Sequence, residues 1–208
     1  MAKLVTQWVD TIKGTVLTAN GSVYLVEDVL NGLPAIFSDG STGYMEGPIA
    51  AGEIHGLIVF LSSPPPSGRW ALYMGGEAET PRTYVGLSQL STGSIQANTG
   101  VGSSISNGVL TTGAHVFCLR YGPGFVSIQI DGGAEHVTTG SFTLSIDPAG
   151  VLRLFTDELG APSGSFGVLE LSFTLPLDPV TRLKLDAWLA WRGGIEALLP
   201  PPYNTMRP

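Results

Sequence analysis

Apolar and polar residues alternate with a period of two from Phe125 to Asp131, with Val126, Ile128 and Ile130 on one side and Ser127, Gln129 and Asp131 on the other. That period predicts a β-strand with one face in a core and the other toward water. Further strand patterns cover 15–19, 23–26, 35–37, 55–62, 69–74, 114–121, 150–155 and 166–173, and weaker ones begin at Tyr84-Val85 and Val109-Leu110. The run from Gly56 to Leu61 has no polar interruption, so it is expected to be buried on both faces. Between the strands stand Asn20-Gly21, Asn31-Gly32, Asp39-Gly40, Gly122-Pro123-Gly124 and Asp131-Gly132, residues that favour the positive backbone angles of tight turns. Ser63-Pro64-Pro65-Pro66 ends one strand, because proline cannot donate to a ladder. The count is about twelve strands, so an antiparallel all-β sandwich is expected.

The period changes to that of a helix once, over 178–194. Asp178 can accept from the free amides of the first turn, Pro179 suits the first helical position, and Gly193-Gly194 can close the last turn. A helix this short is not stable alone in water, so Leu183, Ala187, Trp188 and Trp191 are expected to pack against the sheet or dock onto a partner. A Pro-rich tail follows over 195–208.

Composition narrows the function. With 28 Gly, 15 Pro and only 13% charged residues in 208, the chain is rich in turns and reads as a single domain, 1–208. A net charge of -7 and only ten scattered Lys and Arg argue against nucleic acid. No window holds the roughly 18 apolar residues of a membrane helix, and the N-terminus lacks the pattern of a secretory signal, so synthesis in a cytoplasm is expected. Cys118 lies in an apolar strand run and reads as a buried small hydrophobe.

Candidate chemistry is sparse. Glu77 and Glu79 have the alternating spacing of a glycosidase pair, but Gly75-Gly76 and Thr80-Pro81 make that stretch a turn, and no catalytic residues are assigned. His55, His115 and His136 are far apart, without the neighbours of a zinc site, and read as surface or edge residues. Asp39, Asp131, Asp147 and Asp157 fall in turns that could supply calcium ligands, yet none forms a dense Asp series. A glycan needs aromatic faces with polar groups beside them, and Trp70, Tyr73 and Tyr84 are the candidates, packing in the sandwich being the competing reading.

Three pieces, in this order, carry a resemblance. They are Trp8-Val9-Asp10 with the run from Asn31 to Gly40 and Tyr44-Met45; Phe117–Tyr121 with Val126–Gly132; and Gly167–Phe173 followed by Leu189-Ala190-Trp191, Gly193-Gly194, Leu199-Pro200 and Pro202-Tyr203. Together they resemble the concanavalin A-like lectin/glucanase superfamily, in particular the laminin-G-like modules of tailed-bacteriophage virion proteins. Such modules often place a histidine before the final Pro-Tyr, where this chain has Pro200-Pro201-Pro202. The resemblance implies a jelly roll of two antiparallel sheets and a non-enzymatic virion surface protein, a spike, fibre or decoration subunit, attaching to host surface glycan. It implies other virion proteins as partners and a homo-oligomer. The alternatives are a purely structural virion module and a glycoside hydrolase.

Overall fold

The computed structural model describes residues 2–9, 14–48, 53–60, 69–75, 84–89, 94–99, 104–109, 113–122, 124–140, 151–156 and 166–202, with backbone alone for the strands between 69 and 109. In chain order the strands are β1 (Lys3–Leu4), β2 (Gln7–Val9), β3 (Val16–Asn20), β4 (Val23–Leu30), β5 (Leu33–Ser38), β6 (Tyr44–Pro48), β7 (Glu53–Phe60) and β8 (Arg69–Gly75). There follow β9 (Tyr84–Gln89), β10 (Ser94–Thr99), β11 (Ser104–Val109), β12 (Gly113–Gly122), β13 (Phe125–Ile130), β14 (His136–Thr139), β15 (Val151–Leu154) and β16 (Phe166–Thr174). The helix α1 (Pro179–Gly193) comes last, with a 3-10 turn at Glu196–Leu198.

These strands form two antiparallel eight-stranded sheets. Sheet A has the order β1-β4-β5-β16-β7-β12-β13-β14 and sheet B the order β11-β10-β9-β8-β15-β6-β3-β2. The jelly-roll sandwich with one C-terminal helix expected from the sequence is the fold observed. Tight turns lie where Asn-Gly and Asp-Gly stand, with Asn31-Gly32 and Asp131-Gly132 both at positive φ.

Two apolar layers follow from strand alternation. Ile54, Ile58, Phe117, Leu119, Val126 and Ile128 of sheet A meet Leu17, Met45, Leu152 and Leu154 of sheet B in the central core. On the other face of sheet A, Leu57, Val59, Val116 and Leu169 lie under Leu189, Ala190, Ile195 and Leu199. β7 is thus buried on both sides, as its unbroken apolar run predicts. Gly56 sits on its core side because a Cβ there would stand 2.3 Å from Cε1 of Phe117.

The helix begins and ends where its caps predict. Asp178 Oδ1 accepts from the amides of Val180 and Thr181, each at 3.0 Å. At the other end Gly194 is left-handed at φ 65°, and the amide of Ile195 donates to Ala190 O at 2.9 Å. The buried stripe differs from the expected one. Asp186, Ala187, Leu189, Ala190 and Gly193 are buried, whereas Leu183 is half-buried and Trp188 and Trp191 are 37% and 45% exposed. The helix is rotated because Ile195 and Leu199 beyond its end anchor the 189/190/193 side, and because sheet A holds polar partners for Asp186 and Arg182. On the outer side the Arg192 guanidinium lies over the Trp188 ring, 5.5 Å from its centroid. The described part of the Pro-rich tail, 195–202, is held here by Ile195 and Leu199 in the second core.

Candidate functional site

The outer face of sheet A beneath α1 holds a buried polar cluster. Glu53 and His55 of β7 alternate with the core-facing Ile54, so both side chains point toward the helix. His55, with no exposed surface, places Nδ1 2.6 Å from Asp186 Oδ1. Glu53 Oε1 accepts from Arg182 and from Arg120, each at 3.0 Å, and Arg120 continues to Glu135 at 2.6 Å. Glu135 also accepts from Ser127 Oγ at 2.5 Å. Burial pushes the Asp186 carboxyl above the usual aspartate range, against the pull of its bond to His55. Glu53 is also pushed up by burial, but Arg182, the backbone of Leu177 and Arg120 outweigh this and hold it below the usual range.

Two expectations are corrected here. His55 and His115 are buried, not surface residues, because each finds an aspartate; His115 Nδ1 lies 2.7 Å from Asp131 Oδ2, and only His136 is exposed. Ser127, placed by alternation on a solvated face, is buried because Glu135 folds over it. Cys118 is buried, as its apolar surroundings predict, with Sγ 3.8 Å from His55 Nε2. Cys118, His55 and Asp186 have the residue types of a nucleophilic triad. Burial, with the Asp186 and Glu53 carboxylates nearby, pushes the thiol far up, so it stays protonated beneath the helix. The cluster therefore fastens α1 to sheet A.

Sheet B presents a different outer face. Residues paired across neighbouring strands share a face. Leu152 and Leu154 are in the core, so Arg153 between them is on the outer face. The register places Tyr73, Arg153, Glu46 and Thr18 in one row across β8, β15, β6 and β3. A second row runs Tyr84, Gly75, Val151 and Pro48, and Tyr44 pairs with Asn20 on the other side. Arg153 Nε donates to Glu46 Oε2 at 3.3 Å, and the guanidinium lies 5.9 Å from the centroid of the Tyr44 ring.

Of the three aromatic candidates, Tyr73 and Tyr84 thus occupy adjacent outer-face rows, while Trp70 pairs with Ser88 beyond a register shift between Trp70 and Leu72. Tyr44, Glu46 and Arg153 escaped the sequence reading, since β6 has no strong alternation; the Cα pairing of Arg153 to both Tyr73 and Glu46 is what reveals them. Among the turn aspartates, Asp39 accepts from the amides of Ser41, Thr42 and Gly43 at 2.8–3.0 Å, and Asp131 from His115 and the amide of Val116. Asp147, Asp157, Glu77 and Glu79 lie outside the described residues. Among the described residues no group of three or more His, Cys, Asp or Glu is placed to hold a metal ion, and no helix is long and apolar enough to cross a membrane.

No protein-family model and no curated protein matches the chain. Solved structures do. Domain 4 of AbnA, a GH43 extracellular arabinanase from Geobacillus stearothermophilus in complex with arabinotriose, is 14% identical with a TM-score of 0.61, over 83% of this chain and 93% of that one. A botulinum neurotoxin type C, described as dependent on two ganglioside molecules to enter cells, is 10% identical with a TM-score of 0.62, over 91% of this chain and 51% of that one. A Trypanosoma rangeli sialidase bound to 2,3-difluoro-KDN is 12% identical with a TM-score of 0.56, over 80% of this chain and 28% of that one. The present chain therefore spans about half of the toxin chain and less of the sialidase. What it shares with all three is the fold, a jelly-roll sandwich.

Proposed function

We propose that the chain is a non-enzymatic glycan-binding module displayed on a virion surface as a repeated subunit, with the outer face of sheet B as its binding face. The observation that carries the glycan reading is the meeting of Tyr73, Tyr84, Tyr44, Arg153 and Glu46 in adjoining rows of the sheet that α1 does not cover. Aromatic positions beside hydroxyl, amide and carboxylate groups are what a sugar requires. The fold likeness to a domain solved with arabinotriose supports the reading. The absence of a Glu-x-Asp-x-x-Glu strand from the sequence supports the non-enzymatic part. The virion setting rests on the ordered Leu189-Ala190-Trp191, Gly193-Gly194, Leu199-Pro200 and Pro202-Tyr203 series.

A glycan array probed with the whole chain, beside a Tyr73→Ala, Tyr84→Ala variant, tests the binding face. Sugar binding by the native chain and its loss in the folded variant are expected; no binding at millimolar glycan would refute the reading. Immunogold labelling of purified particles tests the location.

A second reading is favoured by the helix itself. Leu175, Val180, Trp188, Trp191 and Leu198 are all exposed on the C-terminal segment. A structural module docked to a neighbouring virion protein through this surface would lose incorporation on Trp188→Ala with Trp191→Ala, with sugar binding unchanged.

A further inference from the structure

Resting on the glycan reading, we infer that Glu46, Arg153 and Thr18, with Tyr44 in the row beside them, form the recognition surface of sheet B and select an uncharged, hydroxyl-rich sugar over an acidic one. The geometry is that of a cation already neutralised. Arg153 donates to Glu46 at 3.3 Å and its guanidinium rests over the Tyr44 ring, so its charge and one ring face are already engaged. The exposure of the pair is uneven: the Arg153 side chain is 11% exposed and that of Glu46 34%. A ligand approaching this face therefore meets a carboxylate before it meets a guanidinium. Beside Glu46 in the register stands Thr18, an exposed hydroxyl, and beside Tyr44 stands Asn20, a half-buried amide.

A carboxylate is an acceptor only, so it pairs with groups that donate. Sugar hydroxyls donate, and two neighbouring hydroxyls can share one carboxylate. A uronate or sialate would instead bring a second negative charge against Glu46, in a chain that already carries -7. Arg153 has a positioning role: it fixes the Glu46 rotamer and orders the Tyr44 ring, which lowers the cost of organising the row when a ligand arrives.

Titration calorimetry on the full chain, with neutral oligosaccharides (arabinose, glucose, galactose and mannose series) and acidic ones (sialylated and polyuronate) at low salt, tests this. Glu46→Gln keeps the shape and removes the charge; Thr18→Val, at an exposed position, serves as a second variant that leaves the fold untouched, checked by thermal melting. The expected result is binding of a neutral series, weakened about tenfold or more by Glu46→Gln because a charge-assisted hydrogen bond is lost, with a smaller loss for Thr18→Val. Binding of acidic glycans alone overturns the inference and leaves the glycan reading standing. So does neutral binding unchanged by both variants, which would place the ligand elsewhere. No binding of any glycan by the native chain overturns both.

Discussion

Asp186→Ala tests the claim that a buried polar pair fastens the C-terminal helix. The substitution removes the acceptor 2.6 Å from His55 Nδ1, so that nitrogen of a ring with no exposed surface loses its partner under the helix. Removing one partner of a buried hydrogen bond costs about 1–3 kcal/mol. The upper end applies, because His55 has no exposed surface at which water could replace the lost acceptor. A loss of about 3 kcal/mol lowers the melting temperature of a chain this long by about 6–12 °C. Urea unfolding followed by tryptophan fluorescence gives the global number, and Cys118 gives the local one. It is the sole cysteine, it is buried beneath α1, and a thiol reagent reaches it only when the helix lifts. Faster labelling in native buffer is therefore expected in the variant. The sign of the effect is checked by His55→Leu with Asp186→Leu, which removes both polar groups and fills the space with apolar side chains; most of the lost stability is expected to return. A single variant within about 0.5 kcal/mol of the native chain, the range of an ordinary surface change, would refute the fastening role. So would a double variant as unstable as the single one.

Other expectations follow from the same geometry. Gly56→Ala drives a methyl against the Phe117 ring and Leu171 and is expected to cost about 1–3 kcal/mol by overpacking, read from the urea midpoint. The amides of Thr42, Ser41 and Gly43 hold the Asp39 carboxyl well below its usual range. A lowered folded pKa adds stability above the ordinary aspartate value, near ~4, and loses it as pH falls through the folded value. Asp39→Ala should therefore lower the melting temperature at neutral pH, and the gap to the native chain should close in strong acid. Trp188→Ala and Trp191→Ala should each cost about 1 kcal/mol in urea, since both side chains are partly exposed and Trp188 loses its stacking with Arg192. A reducing-end assay on the glycan that binds should show no release of sugar, and release would refute the non-enzymatic reading.

Much of the fold is legible from local pattern. The unbroken Gly56–Leu61 run announces a strand buried twice, and Asp178, Pro179 and Gly194 mark the ends of α1 because capping is decided within a few residues. The rotation of the helix was not legible. A hydrophobic stripe assigns Trp188 and Trp191 to the inside, yet both are exposed and Asp186 is buried, because His55, 131 residues earlier, supplies the partner that makes burying Asp186 affordable. Transfer scales rank residues one at a time, while a buried hydrogen-bonded pair is a property of two. The same reasoning explains why His55 and His115 read as surface residues.

The two outer faces of the sandwich part ways for a physical reason. Sheet A carries Leu57, Val59, Val116 and Leu169 outward, an apolar area that water would penalise, and α1 with Ile195 and Leu199 covers it. Sheet B, among its described side chains, carries Thr18, Glu46 and Arg153 outward, which tolerate water and need no cover. A polar sheet face that the helix does not cover is stable in water and so can take a soluble partner, provided its charges are already settled among themselves. The Arg153–Glu46 pair meets that condition. Arg153→Ala should accordingly release Glu46, unsettle Tyr44 and weaken neutral-sugar binding without touching the sugar. Arg153→Lys, which keeps the charge but not the planar stack on the ring, should recover only part of it. Full recovery by lysine would mean that charge alone matters there, and the argument from the stacked geometry would fail.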